Sequence, residues 1–488
     1  MLSKQLPDPM QALPPREDQE GKCYSDGTDK KPRENQVLAI DWCHANKDQS
    51  VRGITAPTGA GKSFIARNQA MAQGTVIIVP DNIQMAQYIR VYPDLNFVKG
   101  KKHYESDEEF VLAKKRLWRG DPTVLNIHSW VLWYRFSTFS AQDDWGPKFN
   151  TNLMIVDEFH NLHKTLIGME SGMFTRRLYP SLPITDQVLV LVDFFKSELS
   201  KVRASLGDMD RGDLDYEETI LKKYRLSAII TGLSENVEEY VIDPDRKFKK
   251  VTVTRFNPSD DIVSAFKCCK VLAMSATPRP QDIKLLGKKV ARLDLPSEIP
   301  VKHRLVYRVP VPFKMNYQTK LEDVKPYIDK ILLKHKGQNG VIHCTYSRQF
   351  QFEQLYPDFI YHSSGKSKDD ALERFKKEGG ILVASGCSEG IDLPGDLCRF
   401  QIIPWMVKPN IGDLWVKHRM AKIDGRQWYN WEVLTTFAQM AGRSTRSSTD
   451  MSTVYTFDSF IVNIAKAYSK EMWPWFKEAL VLFRTPNS

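Results

Sequence analysis

The chain has 488 residues, which is long for one small domain and points to roughly two to four. Hydrophobic residues make up 42% and charged residues 26%, a globular balance that argues against a disordered or fibrous chain. No apolar run approaches the ~20 residues that span a bilayer, and the opening MLSKQLPDPMQALPPRED lacks the apolar core of a secretory leader. The expectation is therefore a soluble, cytoplasmic protein with no membrane partner.

Residues 1–31 are rich in Pro, Asp, Lys and Gln and read as a flexible tail. A first α/β lobe is expected from 32 to 164. VRGIT (51–55) reads as a strand leading through a Gly-rich turn into the helical FIARNQAMAQ. TVIIVP (75–80) is a short β-branched buried strand, NIQMAQYIRVY a helix, and LMIVDE (153–158) a buried strand ending in two acids. Such alternation predicts a parallel sheet with helices on both faces. Residues 165–255 carry helical spacing in DQVLVLVDFFKSELSKVRASL and LDYEETILKKYRLSAIITGLSENVEEYV, and read as a largely helical insertion. KCCKVLAMSATP returns the chain to a strand, so that 256–295 completes the first lobe. A second α/β lobe, 296–488, contains the strands GVIHC, ILVASG and LCRFQIIP and the helix SKDDALERFKKEGG.

The sharpest motif is APTGAGKS, comprising Ala56, Pro57, Thr58, Gly59, Ala60, Gly61, Lys62 and Ser63. It sits between a strand and a helix, the context a phosphate-binding loop requires. Gly59 and Gly61 let the backbone wrap and aim N–H groups at phosphate oxygens. The helix N-terminus adds positive potential. Lys62 is placed to reach the β- and γ-phosphates of ATP, and Ser63 to ligate Mg²⁺. Asp157 and Glu158, at the end of the strand begun at Leu153, supply the acids such a site needs: Asp157 for the Mg²⁺, Glu158 to orient or deprotonate the attacking water.

Later motifs are shorter. Ser275–Thr277 (SAT) is a polar strand exit that could couple hydrolysis to a nucleic-acid face. In SEGIDLPG, Gly390 allows a tight turn and Asp392 offers an acceptor. Gln36, in PRENQ, could read an adenine edge. In QMAGRSTR, Arg443 and Arg446 are three apart and are expected to share one helix face, with Gln439 on a neighbouring face. Guanidinium groups stabilise charge on a transferring phosphoryl, and this motif implies ATP between two lobes. The charge balance, 69 Lys plus Arg against 59 Asp plus Glu, is a mild +10 that favours a polyanionic partner without establishing one. The seven cysteines include no C-x-x-C pair and read as reduced, buried or incidental thiols.

Several stretches resemble the DinG/XPD-type branch of superfamily 2 DNA helicases: VDEFHNL, PTVLNIHSWVL with Asn126 and His128, FVKGKKHYE, CSEGIDLPGDLCRFQIIPWMVKP and FAQMAGRSTRS. The motif order covers 32 to about 460. The resemblance implies two tandem RecA-like P-loop lobes, an arch-like domain in place of the insertion, and ATP with Mg²⁺. It also implies single-stranded DNA and forked or tailed duplexes as partners, and 5′ to 3′ movement; it names no protein partner. Two departures stand out. The cluster-bearing members have four cysteines between the first two ATPase motifs, and this chain has none between Ser63 and Asp157, so no iron–sulfur cluster is expected. Phe159 also stands where the box carries Ala, which would set a bulky ring beside the γ-phosphate. The competing readings are a translocase or remodeler that does not part strands, and an RNA-directed helicase.

Overall fold

The computed structural model describes residues 24–28, 31–139, 151–210, 213, 215–287, 289–361, 368–385, 393–445, 447 and 449–481. Short β-branched and apolar runs make the strands of the first lobe: β1 (Val51–Thr55), β2 (Thr75–Val79), β3 (Asn96–Val98), β4 (Thr123–Asn126) and β5 (Leu153–Val156). The insertion adds β6 (Gly172–Thr175), β7 (Tyr240–Asp245) and β8 (Lys250–Arg255), after which β9 (Lys270–Ser275) and β10 (Ala291–Asp294) complete the lobe. The sheet order is β10-β1-β9-β5-β2-β4-β3. The pairings of β2 with β4 and β5, β3 with β4, and β5 with β9 are parallel. Every residue of β2 is buried, as expected for a central strand covered on both faces. Trp130, Met154, Val156, Leu162, Phe266 and Val271 lie in the core beneath it.

The second lobe repeats the plan with β11 (Val306–Arg308), β12 (Gly340–Cys344), β13 (Ile360–Tyr361), β14 (Ile381–Ser385), β15 (Phe400–Ile403), β16 (Thr453–Thr456) and β17 (Leu480–Val481). Its order is β13-β14-β12-β15-β16-β11-β17, parallel throughout. The structure thus has two seven-stranded parallel sheets flanked by helices.

The insertion holds two 20-residue helices, Val188–Gly207 and Tyr216–Glu235. They pack through Leu191, Phe195, Leu199, Leu226, Ile229 and Leu233. It also holds an antiparallel sheet, order β6-β8-β7, that the helical spacing does not announce. The signal for it is the alternating Val-Thr-Val-Thr of β8, whose valines are buried and threonines half-buried. Cys268 and Cys269 lie just ahead of β9 rather than on it, and Cys268 is exposed.

The chain forms two compact units, one of Met1–Ile54, Lys62–Leu293 and Ile411–Lys422, the other of Thr55–Gly61, Asp294–Asn410 and Ile423–Ser488. The 411–422 arm belongs with the first because the indole N–H of Trp415 donates to the Arg255 carbonyl at 3.0 Å, and its ring stacks on Phe256 at 6.1 Å. Lys422 Nζ donates to the Glu238 carbonyl at 3.0 Å and lies 4.6 Å from the Phe256 ring centroid. At the other end of the chain, residues 24–28, assigned from composition to the tail, are packed into the first unit. Tyr92 Oη donates to the buried Asp26 carboxylate at 2.7 Å, Tyr24 Oη to Asp41 at 2.8 Å, and Asn68 Nδ2 to the Ser25 carbonyl at 2.8 Å. Among the described residues, no helix is long and apolar enough to cross a membrane.

Candidate active site

Between β1 and the helix Lys62–Gln69 the backbone makes the tight wrap that its sequence requires. Gly59 and Gly61 both adopt left-handed conformations, φ 83° and 77°, and the Ala60 N–H donates to the Pro57 carbonyl at 3.1 Å. Ala56 and Ala60 are buried. Lys62 opens the helix and Ser63 follows it in the first turn.

The Lys62 ammonium lies 3.1 Å from Glu158 Oε1, with both side chains mostly buried. Glu158 is one of two described non-glycine residues at positive φ, 46°, and its N–H donates to Asp157 Oδ1 at 2.9 Å. Left-handed backbone is costly for such a residue and clusters at functional positions. Asp157 is buried at the end of β5 and accepts from Tyr88 Oη at 3.0 Å. Burial, and then the charge of Glu158, push its carboxyl up to about 6, against the pull of Lys62. Two adjacent acids short of positive charge are a fitting seat for a divalent cation, so Asp157 and Ser63 are compatible with Mg²⁺ beside a bound triphosphate.

Behind Glu158 the polar groups continue. His160 Nδ1 is 3.4 Å from Glu158 Oε2 and 2.9 Å from Ser275 Oγ, which also accepts from the Thr277 N–H at 3.1 Å. The carbonyl of His160 accepts from Arg279 Nη2 at 2.7 Å, and Arg279 is clamped to Asp282 at 2.8 Å. The SAT segment is therefore joined to the acidic box through His160.

Phe159 overturns one expectation. It is 2% exposed and sits in the lobe core with Leu162 and Trp130. The left-handed turn at Glu158 sends the carboxylate to Lys62 and leaves the next side chain inside, so the ring does not crowd a phosphate. Gln36 is buried on the helix Glu34–Ala45, with its amide oxygen taken by the Arg33 N–H at 2.8 Å.

In the second lobe the helix Gly425–Ala441 carries Gln439 and ends at Gly442, so Arg443 lies in the turn beyond it. Arg443 is not on the helix face expected for it, because the helix ends at Ala441; Arg446 lies outside the described residues. Arg443 Nη2 donates to Gln439 Oε1 at 3.4 Å, and the Arg443 carbonyl accepts from the Leu393 N–H at 3.3 Å. Gly390 and Asp392 also lie outside the described residues.

The turn bearing Arg443 is held from within the sheet. Gln401, on β15, donates from Nε2 to the Ala441 carbonyl at 3.0 Å and to Ser444 Oγ at 2.7 Å. Its Oε1 lies 2.8 Å from Nε2 of His343, on β12. Burial drives His343 down to about 4, only partly offset by its hydrogen bond to Gln401, so the ring is neutral and Nε2 donates. Tyr88, His343 and Gln401 lie beside the candidate site residues but outside the motifs, whereas His160 belongs to VDEFHNL, in which the sequence assigns it no role. For His343 and Gln401, the one signal is a polar residue inside an apolar strand run.

Residues 332–479 match the family model described as the helicase C-terminal domain. No curated protein matches the chain by sequence. Among solved structures, the chain is similar to an apo XPD (16% identity, 89% of this chain and 98% of that one, TM-score 0.58). It is also similar to an XPD helicase (16%, 93% and 100%, 0.57) and to Xpd4 of S. tokodaii (13%, 93% and 100%, 0.58). At these identities the structural likeness speaks for the fold: two RecA-like lobes, the first interrupted by an insertion. Residues 332–479 thus carry a helicase C-terminal domain, and the fold of the chain is that of the XPD helicases.

Proposed function

We propose that the chain is an ATP-dependent DNA helicase that moves along single-stranded DNA, most simply 5′ to 3′ as its resemblance implies, and opens forked or tailed duplexes. In this reading 32–164 and 256–295 form the first motor lobe, 165–255 an arch-like insertion, and 296–488 the second lobe. The observation that carries the reading is the Lys62–Glu158 pair beside the buried Asp157.

Lys62 cannot serve a phosphate and Glu158 at full strength together. A γ-phosphate draws the ammonium away and frees Glu158 to take a proton from the attacking water. Mg²⁺, when held by Ser63 and Asp157, supplies charge neutralisation on the phosphate oxygens. Tyr88 fixes Asp157, and His160 with Ser275 relays the state of Glu158 to the segment after β9. Gln439 orients Arg443, and Arg443, with Arg446, offers the guanidinium charge that phosphoryl transfer uses. The main-chain N–H groups of Ala56–Gly61 cradle the phosphates, Gln36 meets the adenine, and Gly390 and Asp392 form a further nucleotide-side loop.

The reading includes no iron–sulfur cluster, supported by the lack of cysteine between Ser63 and Asp157. Purified protein is expected to be colourless, and stoichiometric iron would overturn this. The same lack of cluster cysteines favours a second reading, a translocase that moves without parting strands. Unwinding of 5′-tailed against 3′-tailed duplexes, in DNA and in RNA, tests both: opening of 5′-tailed DNA alone supports the helicase, while strand-stimulated ATPase without opening supports the translocase.

A further inference from the structure

The insertion's small sheet ends in an unusual tip. β7 and β8 form a hairpin whose last pair is Asp245 with Lys250, leaving Arg246–Lys249 as a four-residue turn. No glycine serves it. Lys249 takes the left-handed conformation, φ 48°, and the Phe248 N–H donates to Asp245 Oδ1 at 3.1 Å. The turn is thus set by hydrogen bonds. On its other side the Arg176 N–H donates to the Lys249 carbonyl at 3.0 Å, tying the tip to the segment after β6.

What this scaffold displays is a ring among cations. Phe248 is 65% exposed. Lys247 Nζ and Lys250 Nζ lie 5.3 and 5.6 Å from its ring centroid. Arg246 and Lys249 of the same turn are exposed, as are Arg176, whose N–H bonds to it, and the adjoining Arg177. The nearby acids are Asp243 and Asp245, the second 3.8 Å from Lys250. A folding role does not account for the ring, because an aromatic left in water contributes little to a core. Exposed aromatics interleaved with Lys and Arg are the chemistry that grips single-stranded nucleic acid: rings stack on bases, and cations hold phosphates. A duplex keeps its base faces stacked away, and so does not use the ring.

We propose that the tip of the β7–β8 hairpin is a single-strand contact in which Phe248 stacks on an unpaired base while Lys247, Lys249, Arg246 and Arg177 hold neighbouring phosphates. The identity of the ligand rests on the nucleic-acid motor reading above. No residue of the tip is among those assigned above to the ATP machinery.

The test uses the full chain, a fluorescein-labelled oligo(dT) and a blunt duplex of equal length. Affinity and basal ATPase are measured for wild type, F248A, F248W and K247A/K249A. F248A is expected to weaken oligo(dT) binding about tenfold, as for loss of one stacked base, with F248W restoring it and basal ATPase unchanged. K247A/K249A should flatten the salt dependence by about 0.7 in log–log slope for each lost phosphate contact. Thermal melting of each variant checks folding, which surface changes at a hairpin tip leave close to wild type. If wild type binds oligo(dT) and both F248A and K247A/K249A bind it equally well, the proposal is wrong and the motor reading survives. Should F248A weaken duplex and single strand alike, stacking is excluded. Where wild type neither binds oligo(dT) nor is stimulated by it, the motor reading falls, and this one with it. Loss of binding to anionic vesicles instead of to oligo(dT) would assign the tip to a membrane surface.

Discussion

Each lobe buries a polar network at its sheet, and the two networks are built to opposite ends. In the first, Lys62, Glu158, His160 and Ser275 form a line of charged and polar groups that begins at the phosphate loop and is partly open to a ligand. In the second, His343 and Gln401 are neutral and almost wholly buried; His343 Nε2 is bonded to Gln401, Gln401 to the turn at Ala441–Ser444, and His343 Nδ1 has no hydrogen-bond partner among the described residues. Low dielectric explains the division. A charged network inside a protein needs its charges paired, so one left partly open suits a ligand that completes it, whereas a neutral one costs less to bury and can be spent on rigidity. The first lobe's network is therefore read as the reacting one, and the second's as the mount for Arg443.

The largest separation between the two comes from Lys62→Ala, which should reduce ATP hydrolysis to background in a protein that still folds; near wild-type phosphate release would remove the first network from the chemistry. Next, Glu158→Gln keeps size and hydrogen bonding but not the base. Turnover should fall by roughly 10²–10⁴-fold while a fluorescent ATP analogue still binds. Loss of nucleotide binding would instead make Glu158 a structural partner of Lys62.

Phe159 checks that the first network turns its back on the core. Phe159→Ala should cost about 3–5 kcal/mol of unfolding free energy, whereas Phe159→Leu should cost far less and leave turnover per folded molecule close to wild type. Faster turnover in Phe159→Leu would put the ring beside the phosphate after all.

The smallest effect belongs to the second network. With the folded-state value of His343 held down at about 4 against 6.5, its contribution to stability is complete above pH 6.5. It is lost progressively as pH falls from about 6.5 to about 4, because the unfolded chain takes up a proton first. Between pH 7 and pH 5 this amounts to roughly 2 kcal/mol. His343→Gln should flatten the urea-denaturation slope over that window, and an unchanged slope would show that the ring is not buried neutral.

The strand–helix alternation was legible because buried parallel strands are short, β-branched and bounded by turns, as in TVIIV. The phosphate loop was legible because its glycines sit where positive φ is required. Other features follow from side chains that meet across long stretches of sequence. The long helices of the insertion mask three short strands, one of them marked only by KVTVTR. A three-residue spacing suggests one helix face for Arg443 and Arg446, yet the helix ends at Ala441, before Arg443. Nothing local says that Gln401 reaches the Ala441 carbonyl, or that Tyr88 reaches Asp157. The composition of 24–28 suggests a tail, yet Asp26 is sealed by the phenol of Tyr92, far along the chain.

The 411–422 arm bears on how such a chain can be divided. Leu293 and Asp294 mark the obvious seam, but the fragment ending there would leave Phe256 and the Arg255 carbonyl without the indole of Trp415 that covers them. The fragment beginning there would carry that indole with nothing to cover. Modularity in this molecule is spatial and not serial: a gene cut at the seam yields two pieces that each own part of the other's surface. Fusing or swapping the motor halves with those of another protein would require moving the twelve-residue arm together with the insertion it seals.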